Sequence, residues 1–173
     1  RDPLDRINQH LADAMIGDSD DTRRRFSPSS NISAKHRTIL GGVDLRVFRP
    51  AADRQAVRQR LELPPGRFLL LYAGQVRAQK GVLDILDALA MLRAQLPPAR
   101  LPLLLIIGTP IGPEIMGQCR ARIEATGLDA HVRALPQQSN IHEWMQAADV
   151  FVSGSHQHTE GMSRVLYEAM ACG

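Results

Sequence analysis

The sequence predicts an α/β protein built on a doubly wound parallel sheet. Three short apolar runs, at residues 68–73, 103–107 and 150–152, lack hydrophobic alternation and are bounded by Gly, Pro or Ser. Such runs are typical of strands that are buried on both faces. The segments between them have the spacing of amphipathic helices, and alternating strands and helices give right-handed crossovers in a parallel sheet. Ligands of such sheets bind beyond the carboxyl ends of the strands.

The remaining elements of this pattern follow from hydrophobic spacing and from the residues at the helix ends. Helices are predicted at residues 82–96, 113–126 and 139–148, and a weaker strand at residues 131–135. Pro97 ends the first helix, Gly127 ends the second, and Ser139 is the predicted N-cap of the third. Trp144 in the third helix is assigned to the core.

The first fifty residues fit the strand-helix pattern less well. They contain a predicted helix at residues 4–11, a very short strand at 14–16, a helix at 20–26 and a linker at 27–31.

Composition narrows the function classes. The net charge is +3, the arginines are dispersed apart from residues 23–25, and aromatic residues are only 4% of the chain. Aromatic residues are too few for base-stacking platforms, so we expect no nucleic-acid partner. Cys119 and Cys172 lack a Cys-x-x-Cys motif, and no apolar run reaches the roughly 18 residues of a membrane span. We therefore expect a cytoplasmic protein, whose basic surface is compatible with peripheral contact at the inner face of the membrane.

Residues 160–173 are the most informative stretch. They place the carboxylates of Glu160 and Glu168 eight residues apart, roughly 12 Å along a helix axis at about 1.5 Å per residue. This separation suits a ligand with hydroxyl groups at both ends and phosphates in the middle. The residues between them would expose the unpaired N–H groups of a helix N-terminus, which favour anions. Taken singly, each glutamate also fits an ordinary solvated helix residue.

On a helical wheel Glu168 flanks an apolar stripe that consists of Met162, Val165, Leu166, Ala169 and Met170.

A second candidate motif, residues 74–81, connects the first buried strand to the long helix. Backbone N–H groups and a cation at such a position can hold phosphates. The loop has neither the Gly-Lys-Ser/Thr of a Walker loop nor the Gly-x-Gly-x-x-Gly of a dinucleotide site. Lys80 is its candidate cation, although taken alone it also fits an exposed lysine at the start of a helix.

His156 and His158 raise the alternative of a metal site, because two loop histidines at this spacing can share an ion. No third Cys or His lies nearby in sequence, so loop histidines without a metal are favoured and no metal site is predicted.

Both motifs closely resemble those of group 1 retaining glycosyltransferases, which have the two-domain GT-B fold. Residues 160–173 are similar to the family's Glu-x(7)-Glu donor motif with its Glu-Ala-Met-Ala-Cys-Gly ending. Residues 74–81 resemble its Gly-Arg-x(4)-Lys-Gly pattern, except that Gln75 stands in the place of the arginine. Gln75 lacks the charge and the bidentate phosphate grip of a guanidinium, and Arg77, two residues further on, is a candidate to reach in.

The resemblance spans about residues 12–173 and implies a Rossmann-like half of a GT-B fold with a remnant of the N-terminal domain. It places the boundary near Lys35. Residues 1–35 would then be a remnant of the acceptor domain with its linker, and residues 36–173 the nucleotide-sugar-binding C-terminal domain, incomplete at its C-terminus. Because the chain lacks an initiating Met and stops directly after a helix, we expect a fragment that is inactive on its own.

The implied activity is transfer of a hexose from a nucleotide diphosphate sugar to a saccharide or lipid-linked acceptor hydroxyl, with retention of anomeric configuration. The resemblance implies that Glu160 holds the donor sugar, that Glu168 holds the ribose and that Lys80 neutralises the leaving diphosphate. Glu160 and Lys80 are thus the catalytic candidates, and the donor-binding candidates are Gly74, Gln75, Arg77, Gly161, Met162, Ser163, Arg164, Val165 and Glu168. No cofactor is implied, because the nucleotide sugar is a substrate.

Three other interpretations stay open at this stage. They are a non-catalytic nucleotide-sugar-binding module, another GT-B enzyme such as a phosphorylase or a sugar-nucleotide epimerase, and a flavodoxin-like binding or signalling domain.

Overall fold

The structure is a computed structural model that describes Ile7 and residues 10–26, 34–156 and 162–173. These residues form two compact units. The first contains the described residues up to Gly42 together with residues 162–164, and the second contains residues 43–156 and Val165–Gly173. The predicted helix at 4–11 and the linker at 27–31 lie largely outside the described residues.

The strands are two to five residues long, and each pairs in parallel with a neighbour. In chain order they are β1 (Met15–Gly17), β2 (His36–Thr38), β3 (Leu69–Ala73), β4 (Leu103–Ile107), β5 (Val132–Leu135) and β6 (Val150–Phe151).

The α-helices connect these strands. They are α1 (Asp20–Phe26), α2 (Arg54–Arg60), α3 (Val82–Gln95), α4 (Ile115–Thr126), α5 (Ile141–Ala147) and α6 (Arg164–Cys172).

The first unit contains a two-stranded parallel sheet. Strand β1 pairs with β2, with Met15 opposite His36, and the Thr38 hydroxyl donates to Asp20 Oδ1 at 2.6 Å. This hydrogen bond ties β2 to helix α1 and lowers the pKa of the exposed Asp20 carboxyl. The division between the two units comes after Gly42, so β2, which follows Lys35, belongs to the first unit. The domain boundary near Lys35 stays a prediction.

The second unit contains a four-stranded sheet in the order β5-β4-β3-β6, and all its pairs are parallel. The register places Leu69 opposite Leu103 and Leu70 opposite Val150. Residues along β4 alternate between the two faces and are buried throughout, which requires helices on both sides of the sheet. The predicted doubly wound parallel α/β fold is thereby confirmed.

Two apolar clusters form the core, one on each face of this sheet. Leu69, Leu71 and Leu105 pack on one face with helices α2, α5 and α6. Leu104 and Ile106 pack on the other face with helices α3 and α4. A fully buried leucine stabilises the folded state by about 1.5–3 kcal/mol through removal of apolar surface from water, so these clusters are the main source of stability. Trp144 lies in the first cluster at 7% exposure, as predicted.

Helix α2 and the true start of helix α5 differ from the sequence prediction. No helix was predicted at Arg54–Arg60, yet Asp53 caps one there by accepting the Ala56 N–H at 3.0 Å. Ser139 is wrong as the N-cap of α5, because Asn140 directly precedes the helix and makes no side-chain cap hydrogen bond. The Asn140 amide instead donates to Glu143 Oε2.

Asp149 links helix α2 to the amino-terminal edge of the sheet. Its carboxylate accepts the Leu69 N–H at 2.7 Å and forms ion pairs with Arg54 at 2.6 Å and Arg58 at 3.0 Å. Burial of this carboxyl raises its pKa, but the Leu69 N–H and the two arginines outweigh burial, so the pKa lies below its ordinary value. Folding therefore favours the ionised form of the Asp149 carboxyl over the protonated form.

Among the described helices, none combines the length and the apolar character that a membrane crossing requires.

Candidate functional site

The candidate site lies at the carboxyl ends of β3 and β6. From β3 the chain proceeds to β4 and then to β5 on one side, whereas β6 adds on the opposite side of β3. This reversal is the topological switch point at which doubly wound sheets bind their ligands. The loops that leave the two strands there are residues 74–81 and residues 152–156.

The first part of the loop 74–81 extends strand β3 beyond the regular sheet. Val76 N–H donates to the Thr109 carbonyl, and Ile111 N–H donates to the Val76 carbonyl, both at 2.9 Å. The Tyr72 hydroxyl donates to the Gln75 carbonyl at 2.6 Å. These bonds hold the backbone of the loop, while the Gln75 side chain is exposed and the Val76 side chain is buried.

The second part of the loop is a single 3₁₀ turn, Ala78–Lys80, that ends at Gly81 and leads into helix α3. Gly81 has φ +70°, and a Cβ atom there would lie 1.9 Å from the carbonyl oxygen of Gly154. Only glycine fits a position that combines a left-handed backbone with so close a neighbour. The two loops of the switch point are therefore in direct backbone contact.

His156 strengthens the same contact. Its N–H donates to the Gln79 carbonyl at 3.0 Å, and its Nε2 lies 2.8 Å from Asp84 Oδ2 in the first turn of α3. This residue thus braces the two loops. His158, the second histidine of the metal alternative, lies outside the described residues, and no cluster of three potential metal-ligating side chains occurs within them.

The cationic candidates of the loop, Arg77 and Lys80, are both half-buried. The Lys80 N–H donates to the Arg77 carbonyl at 3.0 Å, so the two residues bracket one turn. Arg77 Nε is buried and has no hydrogen-bond partner in the described part of the chain.

Helix α6 carries the candidate Glu168. Val165 and Ala169 pack against the core and Cys172 is buried, so these three residues form the inward stripe. Glu168 borders this stripe and is half-buried, and its carboxylate makes no hydrogen bond or ion pair with any residue that the structure describes.

The predicted apolar stripe of this helix is partly wrong. Leu166 and Met170 are 38% and 76% exposed, because the helix turns Cys172 rather than Met170 towards the core. The predicted stripe left out Cys172 because its side chain is small, and it is therefore rotated by part of a turn from the observed stripe.

The residues before helix α6 are divided between described and undescribed parts. Glu160 and Gly161 lie outside the described residues. Met162, Ser163 and the first residue of the helix, Arg164, belong to the first compact unit, where Met162 N–H donates to Asp18 Oδ2 at 3.3 Å. Asp18 was not singled out from the sequence, because it lies 144 positions away from Met162. The roles predicted for these residues stay predictions.

The two thiols are unlike reactive cysteines. Cys119 and Cys172 are both free and buried, and burial raises the pKa of each thiol above its ordinary value. Both are therefore protonated at neutral pH and serve as core residues.

A cleft of about 770 Å³ in the second unit lies beside helices α2 and α5, apart from the loops of the switch point. Two of its arginines are already paired, Arg46 with Asp44 and Arg60 with Glu143. We therefore place the candidate site at the switch point and not in this cleft.

Comparison with known proteins gives the class to which this fold and loop arrangement belong. Residues 53–173 match the model of the family described as glycosyl transferases group 1. The chain is 39% identical over 145 residues to the D-inositol 3-phosphate glycosyltransferase of Jonesia denitrificans, covering 80% of this chain and 34% of that protein. It is 32% identical over 174 residues to the enzyme of the same name from Streptomyces bingchenggensis, covering 94% of this chain and 36% of that protein. The chain thus spans about a third of the length of these curated relatives.

Solved structures show the same fold. Anabaena Alr3699/HepE in complex with UDP and glucose superposes with a TM-score of 0.84 at 23% identity, over 98% of this chain and 45% of that one. The C-terminal domain of the group 1 glycosyl transferase LpcC from Francisella tularensis superposes with a TM-score of 0.62 at 27% identity, over 75% of this chain and 66% of that one.

The fold is therefore a Rossmann-like half of a GT-B structure, as the resemblance implied. The chain belongs to the group 1 glycosyl transferase family.

Proposed function

We propose that this chain is the donor-binding part of a glycosyltransferase that moves a sugar from a nucleoside diphosphate sugar to an acceptor hydroxyl. The observation that carries the proposal is the contact between Gly81 and Gly154, which joins two loops at the switch point beside Arg77 and Lys80. Membership of the group 1 glycosyl transferase family supports the same activity. The Anabaena protein that shares this fold was solved with UDP and glucose, which supports a nucleotide sugar as the donor.

In the proposed complex the diphosphate lies against the loop 74–81. Breaking the bond between the sugar and the diphosphate leaves the bonding electron pair on the phosphate oxygen, so negative charge grows there in the transition state. Lys80 and Arg77 place positive charge beside that loop, and preorganised charge of this kind often contributes more to catalysis than any other effect. The backbone of Gly74 and Gln75 contributes shape, because a loop held by hydrogen bonds does not reorganise when the ligand binds.

Glu168 is the proposed acceptor of hydrogen bonds from the ribose hydroxyls. Its carboxylate is half-buried and has no hydrogen-bond or ion-pair partner among the described residues, which leaves its oxygens available to a ligand. Glu160 is proposed to hold the hydroxyls of the donor sugar. Transfer of a hexose and retention of the anomeric configuration belong to the proposal as well, and so do the donor-binding roles of Gly161, Met162, Ser163, Arg164 and Val165.

No cofactor and no protein-bound metal enter the proposed reaction, because the cations of the loop supply the charge that faces the leaving group. The acceptor is proposed to be a saccharide or a lipid-linked sugar. The relatives named D-inositol 3-phosphate glycosyltransferase add an inositol phosphate to the acceptors to be tested.

A non-catalytic nucleotide-sugar-binding module is the second candidate, and the neutral, exposed Gln75 favours it. A module of this kind would bind the donor without consuming it. Catalysis by the complete protein is therefore the property that separates the two candidates.

The test has a binding step and a turnover step. The 173-residue chain is titrated by calorimetry with UDP, GDP and ADP and with the corresponding nucleosides, and one diphosphate should bind at least tenfold more tightly than its nucleoside. The complete protein is then incubated with the matching labelled nucleotide sugars and a panel of acceptors, and the anomeric configuration of the product is read by NMR. Equal affinity for diphosphate and nucleoside would contradict the proposed site, and binding without transfer would favour the non-catalytic module.

A further inference from the structure

We propose that Arg77 is the residue that grips the diphosphate of the donor, from a position two residues beyond Gln75. This inference rests on the proposed function and names the guanidinium that the donor site uses. Two features of Arg77 support it, namely that its side chain has no partner among the described residues and the direction in which that side chain points.

Arg77 has a polar atom that lacks a partner. Its Nε is buried and forms no hydrogen bond with any residue that the structure describes. Arg58 and Arg67 also have a buried Nε without a partner, but each uses its Nη2 in a hydrogen bond, Arg58 to the Arg67 carbonyl and Arg67 to His131. Within the described residues the Arg77 side chain makes no hydrogen bond and no ion pair at all. The Arg77 residue as a whole is only half-buried, so an anion that reaches its guanidinium gains charge-assisted hydrogen bonds that no described residue supplies.

The backbone gives the direction of the side chain. Val76 bridges to Pro110 in parallel fashion, and Arg77 has extended backbone angles, φ −153° and ψ 158°. Successive side chains of an extended segment point to opposite faces, so residues 75 and 77 share one face and Val76 takes the other. Val76 is 2% exposed and packs in the core, so the face shared by Gln75 and Arg77 points away from that part of the core.

The chemistry of the two cations makes them complementary. The guanidinium of Arg77 presents a planar set of N–H donors that pairs with two phosphate oxygens at once. The ammonium of Lys80, one turn later in the same loop, acts as a compact point charge. Gln75 occupies the same face as Arg77 but is uncharged, so the charge-assisted contact is assigned to Arg77.

The test removes the guanidinium from position 77 and, in one variant, places it at position 75 instead. Four variants of the 173-residue chain are compared with the unaltered chain by calorimetric titration with UDP and uridine, or with whichever of GDP and ADP binds more tightly together with its nucleoside. They are Arg77→Ala, Arg77→Lys, Arg100→Ala, and the double variant Gln75→Arg with Arg77→Ala. Arg100 is the matched control, because it is exposed and lies in the turn before β4, at the opposite edge of the sheet.

We expect Arg77→Ala to lower affinity for the diphosphate at least tenfold and to leave affinity for the nucleoside unchanged. Arg77→Lys should lose part of that affinity, Arg100→Ala should change it less than twofold, and the double variant should recover a measurable part of it. The thermal midpoint of Arg77→Ala without nucleotide should equal or exceed that of the unaltered chain, because an unpaired buried donor has been removed.

The outcomes separate the two proposals. If the unaltered chain binds a nucleoside diphosphate and Arg77→Ala binds it equally well, the assignment of Arg77 is wrong while the donor site stands. If the unaltered chain binds none of the three diphosphates, the proposed function fails and the role of Arg77 fails with it.

Discussion

A Cβ atom on Gly81 would lie 1.9 Å from the carbonyl oxygen of Gly154, so the backbones of two loops meet at this point without room for a side chain. Gly81 ends the turn that contains Lys80, and Gly154 follows strand β6. The position of the cationic loop relative to the β6 loop is thus fixed by main chain, which is stiffer than a contact between long side chains.

Replacement of Gly81 by alanine should therefore destabilise the protein and weaken donor binding together. We expect a loss of more than about 3 kcal/mol in the free energy of unfolding, because left-handed strain and a backbone clash act at once. Gly66 is the matched control, because it has φ +69° and a Cβ atom added there would meet nothing within 4 Å. Gly66→Ala should cost about 1–2 kcal/mol. Urea unfolding gives the free energy of unfolding of both variants. Equal losses would mean that the backbone contact between Gly81 and Gly154 adds nothing to the cost of the left-handed backbone.

The central fold was predictable from the sequence because its signals are local. Uninterrupted apolar runs predicted β3 and β4, and the spacing of Val82, Leu86 and Leu89 predicted helix α3. Strand β2 escaped prediction because His36–Thr38 is short and polar, and it exists as a strand through its parallel pairing with β1.

The same distinction applies to the site. The motifs at residues 74–81 and 160–173 were visible in the sequence because their spacing is local. The contact between Gly81 and Gly154 and the pair of His156 with Asp84 join segments that are more than seventy residues apart. No periodicity or motif encodes such a contact when only one sequence is read.

Asp149 should contribute stability that depends on pH. Its pKa is lower in the folded state, so its contribution is fully present above the ordinary aspartate pKa and is lost as the pH falls through the folded value. We expect Asp149→Asn to lower the free energy of unfolding at pH 7 by about 1.5–3 kcal/mol, the range for hydrogen bonds to charged groups. The difference from the unaltered chain should shrink as the pH falls below about 3.9.

The control for this prediction is Asp87→Asn. Asp87 pairs with Arg122 at 3.0 Å, but both side chains are nearly half exposed, so the loss should stay below about 1 kcal/mol. Denaturant unfolding at pH 7 and at pH 3 gives the comparison. If Asp149→Asn lost the same unfolding free energy at both pH values, Asp149 would act through packing alone and not through its charge.

Glu168→Ala should weaken donor binding, because it removes the proposed acceptor of hydrogen bonds from the ribose hydroxyls. We expect a loss of about 1.5–3 kcal/mol, the range for hydrogen bonds to a charged group, when the nucleoside diphosphate is titrated into the chain. Glu124 in helix α4 is exposed, and Glu124→Ala should leave the affinity unchanged. The sharper measurement uses the 2′,3′-dideoxynucleoside diphosphate, which should bind the unaltered chain and Glu168→Ala with similar affinity. A persistent difference with the dideoxy ligand would place Glu168 away from the ribose.

The 173-residue chain should transfer no sugar on its own, even where it binds the donor. It spans about a third of the length of its curated relatives, and in the proposed enzyme the acceptor pocket lies mainly in the N-terminal domain. Without that pocket the acceptor hydroxyl is not held in attack geometry, a loss that can reach about 7–11 kcal/mol in the barrier. The measurement follows labelled sugar from the nucleotide sugar to an acceptor panel, with the complete protein as the positive control and Glu160→Ala as the blank. Incorporation by the 173-residue chain above that blank would mean that these residues already contain an acceptor site.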